Sequence, residues 1–282
     1  MTVTHAKPLA DDGTSLFSTR TGTGAPLVLT NGLTTTTNFW KYLLPAWQAQ
    51  RQTITWDLPG HGQSGPAQGA SSASIRGLAT LLATVMDAWG IERATHIGWS
   101  TGCQVLLEFY RLYPQRCDGL GLLLGTAGNV LSTATLPLPG NTIRGLARYT
   151  PSQLLGACAR VTHSPLAQPF ARATGLIGKG TSHLDANEIL RHIPTLHFRT
   201  VQRMVLAADD HSAWDMLGTI QVPVRVVVGA KDPFAPADTV GERLASAIPN
   251  AALLRLPEGT HTALLDHPGP ILEFLTPLTG TP

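Results

Sequence analysis

Residues 94–99, Ala-Thr-His-Ile-Gly-Trp, form a short, β-rich apolar run that reads as a buried strand, and Val105, Leu106, Phe109 and Leu112 then recur at helical spacing. The junction between the two patterns is Gly98-Trp99-Ser100-Thr101-Gly102. A chain that passes from strand to helix so abruptly must turn sharply. The flanking glycines remove the side chains that would collide with the incoming strand and the outgoing helix. Ser100 is thereby exposed at the carboxyl edge of a sheet. The N–H of Thr101, in the first turn of the helix, faces the same space and can stabilise negative charge. In a chain with 28 glycines such a pentapeptide is also what an ordinary glycine-rich turn looks like, so the rest of the sequence has to decide.

The 282 residues suffice for one large α/β core with an insertion, and a hydrophobic content of 43% argues against disorder. A net charge of +2, with the charges dispersed, points to neither nucleic acid nor an anionic membrane as partner. No two histidines stand at H-E-x-x-H spacing, and Cys103, Cys117 and Cys158 form no C-x-x-C pair. Neither a metal site nor a cofactor is indicated. The odd, widely spaced cysteines read as reduced thiols of a cytoplasmic protein, with Cys103 packed beneath the serine turn. Residues 1–13 lack a basic segment followed by an apolar one, and apolar runs such as 120–124 are too short to span a bilayer. The expectation is a soluble protein acting on a small molecule, with its oligomeric state left open.

Taken in order, residues 14–21 alternate weakly and suggest an edge strand. Gly22-Thr23-Gly24 precedes the apolar run Leu27-Val28-Leu29, which excludes a dinucleotide fingerprint because that motif needs a helix after its glycines. Thr30-Asn31-Gly32-Leu33 ends this strand, and a helix bearing Phe39, Trp40, Leu43, Leu44 and Trp47 is expected beyond it. A loop there beside Ser100 would make the Leu33 N–H a second donor to an oxyanion. Residues 53–56 read as another strand, ending in Asp57-Leu58-Pro59-Gly60-His61-Gly62-Gln63-Ser64-Gly65, where His61 reads as bracing a compact loop. Ser74 is placed to cap an amphipathic helix carrying Ile75, Leu78, Leu82 and Val85. The alternation of strand and helix implies a parallel sheet covered on both faces.

After a strand in 117–125 the alternation stops. Residues 126–218 hold no convincing strand; Pro137, Pro139 and Gly140 mark a loop, and helices are expected around 152–161, 166–177, 185–192 and 195–217. This reads as a helical cap inserted into a core made of 1–125 and 219–282, and apolar cap side chains such as Phe198 and Met204 are candidate ligand contacts. His163, His183, His192, His197 and His211 read as surface or cap-packing residues. The β-branched run 222–228 resumes the sheet and leads to Gly229-Ala230-Lys231-Asp232-Pro233-Phe234. A helix over 239–248 and a strand over 252–256 follow, then Glu258-Gly259-Thr260-His261, and a last helix over 268–278. Ser100, Asp232 and His261 each lie just past the carboxyl end of a strand. In a parallel sheet those ends share one rim, so the three can meet.

A serine hydroxyl needs a base to become nucleophilic, and the base needs a partner to fix its tautomer. The chain order Ser100, Asp232, His261 is that of the triad on an α/β sheet, and it differs from the serine protease orders. With Asn31-Gly32, Asp57-Leu58-Pro59-Gly60-His61-Gly62, Gly98-Trp99-Ser100-Thr101-Gly102, Gly229-Ala230-Lys231-Asp232 and Gly259-Thr260-His261, the sequence resembles the α/β-hydrolase superfamily from Gly22 to about Leu278, in its capped esterase, lactonase and haloperoxidase-like branch. The resemblance implies Ser100 as nucleophile, His261 as general base, Asp232 as its orienting acid, and the Leu33 and Thr101 amides as an oxyanion hole. Trp99 and Phe234 are candidate substrate contacts. Family members commonly have His-Gly where this chain has Asn31-Gly32. The serine nucleophile argues against the dehalogenase and epoxide hydrolase branches, which use a carboxylate. Asp57, Asp209, Asp210, Asp215 and Asp266 compete less well with Asp232 for the acid role. The reaction implied is hydrolysis of a carboxylic ester, lactone or thioester; the alternative is a non-hydrolytic member of the fold, a lyase, cofactor-free oxygenase or ligand receptor.

Overall fold

In the computed structural model, which describes residues 2–280, eight strands form a single sheet in the order β1-β2-β4-β3-β5-β6-β7-β8. They are β1 (Thr4–Ala6), β2 (Phe17–Thr21), β3 (Pro26–Thr30), β4 (Gln52–Asp57), β5 (Ala94–Trp99), β6 (Cys117–Leu123), β7 (Val224–Gly229) and β8 (Ala251–Leu256). The β1–β2 and β2–β4 pairings are antiparallel and all others are parallel. This is the α/β architecture expected from the alternating strand and helix signals.

The sheet is two-sided because its central strands are apolar on both faces. In β3 and β7, Val28, Val224, Val226 and Val228 join one core, while Leu27, Leu29 and Val227 join the other. That split follows from the two-residue period of a strand. The first core is covered by the helices Ile75–Ala88 and Thr101–Leu112, the second by Trp40, Trp47, Leu264 and the helix Pro268–Thr279. Ser74 caps the first of these helices, its Oγ accepting from the Gly77 N–H at 3.0 Å.

Several local expectations need correction. The single helix expected after β3 is a 3₁₀ turn, Thr37–Trp40, and a short α-helix, Leu44–Gln48, whose first turn holds Pro45. Proline suits a first turn, where the missing N–H has no acceptor, and it cannot continue a helix already under way. The stretch around Gly140 is a helix, Gly140–Tyr149, preceded by Pro139 at its N-cap. The helix expected over 195–217 spans Phe198–Asp210, and the one expected over 239–248 is a π-turn, Ala237–Gly241, running into Glu242–Ala247. Strand β1, at the edge of the sheet, carries too short a pattern to have been anticipated.

The residues between β6 and β7 form helices and connecting turns. They touch the loops at the carboxyl ends of the strands. The His197 N–H donates to the Gly60 carbonyl after β4, Thr135 donates to the Pro233 carbonyl after β7, and the Gly178 N–H donates to Thr262 Oγ1 after β8. Met204 is fully buried in the first core, so its place is structural. Among the described residues no helix is long and apolar enough to cross a membrane.

Candidate active site

The turn after β5 is made by close approach of three backbones. A Cβ on Gly98 would lie 2.7 Å from the Gly102 carbonyl carbon, and one on Gly102 would lie 2.4 Å from the Thr30 carbonyl oxygen at the end of β3. Only hydrogen fits at either position. Ser100 takes φ +56°, an unusual value for a residue with a side chain, which the packing around it enforces. Its N–H donates to the Leu123 carbonyl of β6 at 2.9 Å, and its own carbonyl accepts from Cys103. Cys103 sits fully buried beneath the turn, with Sγ against the Gly98 carbonyl, and burial pushes its thiol pKa well up. It is a packing group.

Ser100, Asp232 and His261 converge. His261 Nε2 lies 2.9 Å from Ser100 Oγ, and Nδ1 lies 2.9 Å and 3.1 Å from the two carboxylate oxygens of Asp232. Asp232 Oδ1 also accepts from the Phe234 and Ala235 amides at 2.8 and 3.2 Å, which fixes the carboxylate on its own loop. With the carboxylate on Nδ1, that nitrogen carries the proton and Nε2 presents its lone pair to the serine hydroxyl, a tautomer assigned from the hydrogen-bond network. Both partners are buried, which raises the strength of each contact.

Trp99 and Phe234 flank the His261 ring, with centroids 4.9 and 4.6 Å from it. Trp99 is itself buried, stacked on Phe39 at 4.0 Å, and its indole N–H donates to the His261 carbonyl at 3.1 Å. Its contacts are thus with the imidazole's own segment. Reading along the sequence finds Trp99 only as a neighbour of Ser100; the partner 162 positions away has no local signal.

The loop after β3 is held against the serine from both sides. A Cβ on Gly32 would lie 2.6 Å from the Trp99 ring and 2.8 Å from Ser100 Cβ, so this glycine lets the backbone of Leu33 approach. Asn31 donates to the Trp56 carbonyl at 3.0 Å and accepts from the Trp40 indole at 2.6 Å. It therefore ties the loop to β4 and to the second core at the position where family members commonly carry histidine. His61 Nε2 accepts from the Thr34 N–H at 3.0 Å, and Nδ1 donates to the Pro59 carbonyl at 3.0 Å. Burial pulls its pKa down to about 4, so the ring stays neutral and braces the loop, as the glycines around it suggest. The Thr101 N–H, first of its helix, has no intrahelical acceptor.

The competing carboxylates are engaged elsewhere. Asp57 accepts from Gln63, Asp209 from Leu131 and Arg144, Asp210 from Arg144, Asp215 from Arg111, and Asp266 from Thr181. Among the described residues, no group of three or more His, Cys, Asp or Glu could hold a metal ion.

The chain belongs to the α/β-hydrolase fold family: a profile described as "alpha/beta hydrolase fold" matches residues 25–268. A 2-hydroxy-6-oxononadienedioate/2-hydroxy-6-oxononatrienedioate hydrolase of Pseudomonas putida is 30% identical over 249 residues, covering 84% of this chain and 82% of that one. The dihydrolipoyllysine-residue acetyltransferase component of an acetoin cleaving system, also from Pseudomonas putida, is 30% identical over 250 residues. The chain spans only 60% of that longer protein while 86% of its own length is matched. Among solved structures, an esterase from Exiguobacterium antarcticum superposes with a TM-score of 0.77 at 18% identity, over 99% of this chain and 100% of that one, a likeness of fold.

Proposed function

We propose that the protein is a serine hydrolase of the carboxylesterase type, cleaving an ester, lactone or thioester of a small, largely hydrophobic substrate through an acyl-enzyme. The observation that carries this reading is the continuous hydrogen-bonded chain from Ser100 Oγ through the His261 ring to Asp232. As Ser100 attacks the carbonyl, His261 takes its proton, and Asp232 stabilises the cation that forms. The oxyanion is received by the Leu33 and Thr101 amides. His261 then protonates the leaving alcohol, and water repeats the sequence on the acyl-enzyme.

An apolar substrate suits the aromatic rings that flank His261, those of Trp99 and Phe234. Residues 126–218 act in this reading as a cap over a core of 1–125 and 219–282, and the contacts of His197, Thr135 and Gly178 with loops at the sheet's carboxyl edge support it. The Pseudomonas putida relative named as a hydrolase supports the reaction class.

The test is turnover of a panel of aryl esters together with labelling by a fluorophosphonate. Ser100→Ala is expected to abolish both, since losing a triad member costs on the order of 10⁴-fold or more. Residual turnover above about a tenth of the parent would refute the nucleophile assignment. Labelling of Ser100 with no turnover of any ester, thioester or lactone would instead favour a non-hydrolytic protein.

A further inference from the structure

His261 stands between two buried threonines whose hydroxyls meet, Thr260 Oγ1 and Thr262 Oγ1 being 3.2 Å apart. A segment distant in the chain closes on this pair, the turn 178–181 that precedes the helix His183–His192. The Gly178 N–H donates to Thr262 Oγ1 at 2.8 Å, and Thr181 Oγ1 lies 2.9 Å from the same oxygen. Thr181 is itself buried and bonds onward to Asp266 Oδ1. The approach is close enough to demand glycine, since a Cβ on Gly178 would lie 1.7 Å from Asp266 Oδ2 and 2.9 Å from Thr260 Oγ1. Arg172 clasps the turn, donating to the carbonyls of Gly178 and Thr181 at 2.6 Å each.

The network assigns each hydroxyl hydrogen in this cluster. Burial raises the Asp266 pKa, while Thr181, His267 and Arg172 hold it down. The carboxylate can only accept, so Thr181 donates to it. With its one hydrogen engaged, Thr181 must accept from Thr262. Thr262 in turn accepts from the Gly178 N–H and from Thr260, which saturates its oxygen. The bonds run one way, from Thr260 through Thr262 and Thr181 to Asp266, and in such a chain each donor is polarised by the next. The chain grips the residues on both sides of His261, while the Trp99 indole grips the His261 carbonyl. A ring that must stay 2.9 Å from Ser100 Oγ and 2.9 Å from Asp232 Oδ2 tolerates little displacement of that backbone.

We propose that Thr181 and Thr262 are positioning residues for the base: the turn 178–181, which lies between β6 and β7, holds His261 in line with Ser100 through the Thr262 hydroxyl. This rests on the hydrolase reading above. It makes the helical segment part of what keeps the base in register, in addition to its place over the site.

The experiment compares the parent with Thr181→Val and Thr181→Ser, reading turnover of p-nitrophenyl esters of butanoic to octanoic acid and the rate of fluorophosphonate labelling. Thr181→Val keeps the shape of the side chain and removes its hydrogen bonds. Because both reactions need His261 in place, kcat and the labelling rate are expected to fall together by about 5- to 20-fold, with KM within about twofold. Thr181→Ser, which restores the hydroxyl, should bring both to within about twofold of the parent. Folding is checked by urea unfolding. If Thr181→Val does not fold, Gly178→Ala is read in its place by the same criteria; its methyl must displace the partly exposed Asp266 side chain while every hydroxyl is retained. A folded variant that matches the parent in kcat and labelling overturns the proposal. So does a loss carried by KM alone, or a loss in Thr181→Val that Thr181→Ser does not restore. Labelling that slows in Thr181→Val and recovers in Thr181→Ser, with no ester turned over by the parent, upholds the positioning role and sinks the hydrolase; turnover by a parent whose variants are indifferent does the reverse.

Discussion

The indole N–H of Trp99 donates to the backbone carbonyl of His261 at 3.1 Å. The residue that precedes the candidate nucleophile thus grips the segment that carries the candidate base, from a strand whose six residues are all buried. The distance between Ser100 Oγ and His261 Nε2 is set by this bond as well as by the Asp232 contact. Phe39, stacked on the indole, extends the same support to the loop that holds Leu33.

Trp99→Phe keeps an aromatic ring against Phe39 and removes the donor together with part of the buried indole's bulk. The His261 segment gains freedom, so kcat is expected to fall about 5- to 20-fold, the worth of one buried hydrogen bond, with KM changed less than about twofold. The rate of fluorophosphonate labelling should fall in parallel. An unchanged labelling rate would mean that the bond plays no part in positioning the base.

Asn31→Ala strips two buried partners, the Trp56 carbonyl and the Trp40 indole N–H. Each is left without a partner in a dry environment, and a loss of about 2–4 kcal/mol in urea unfolding is expected. The loop bearing Leu33 should also loosen, which lowers kcat beyond any effect on stability. A variant of parental stability and parental kcat would show that Asn31 is dispensable to the loop.

Much of this arrangement was legible in the sequence, and the reason differs from part to part. β5 and the helix after it are evident because both are buried almost throughout, so their apolar patterns are unbroken. Ser100, Asp232 and His261 stand out because each follows a strand end, a position fixed by local chemistry. The helix Gly140–Tyr149 is obscured because no residue of it is buried, leaving glycine and the prolines before it as the strongest local signals. The broken segment around Pro45 carries a helical apolar pattern, yet the pattern is satisfied by two short turns. Asn31, Trp99 and Thr181 take their meaning from partners far away, and no window of sequence contains those.

Stability should fall as the solution is acidified from pH 6.5. Burial holds His61 and His96 at about 4 in the folded protein against 6.5 when unfolded. Between these values the unfolded chain binds protons that the folded one refuses. The stability that their neutrality contributes is therefore complete above pH 6.5 and is lost as the pH falls towards 4. Each proton is worth about 1.4 kcal/mol per pH unit. Asp57 and Asp266, raised by burial, act with the opposite sign from 3.8 upward and soften the slope. Urea unfolding at pH 7 and pH 5 should show the loss, and His96→Leu should flatten the dependence by about one proton. A stability that is level or rises on acidification over this range would contradict the assignment of both rings as neutral.

Asp232→Asn separates the orienting role of the carboxylate from its role in the fold. The amide oxygen can still accept from the Phe234 and Ala235 N–H groups that now hold Oδ1, so the loop has what it needs to keep its shape. What changes is the face turned to His261 Nδ1. If the amide presents its NH₂ there, it demands the opposite tautomer, and the imidazole then points an N–H at Ser100 in place of a lone pair. A base that has become a donor cannot take the serine proton, and the stabilising charge is gone as well. The expected result is a thermal midpoint within about 3 °C of the parent, as for a change worth under 1 kcal/mol, with kcat lower by about 10³- to 10⁴-fold. A loss smaller than about tenfold would mean that another carboxylate can orient the ring, and Asp266, five residues beyond His261, would be the first to test.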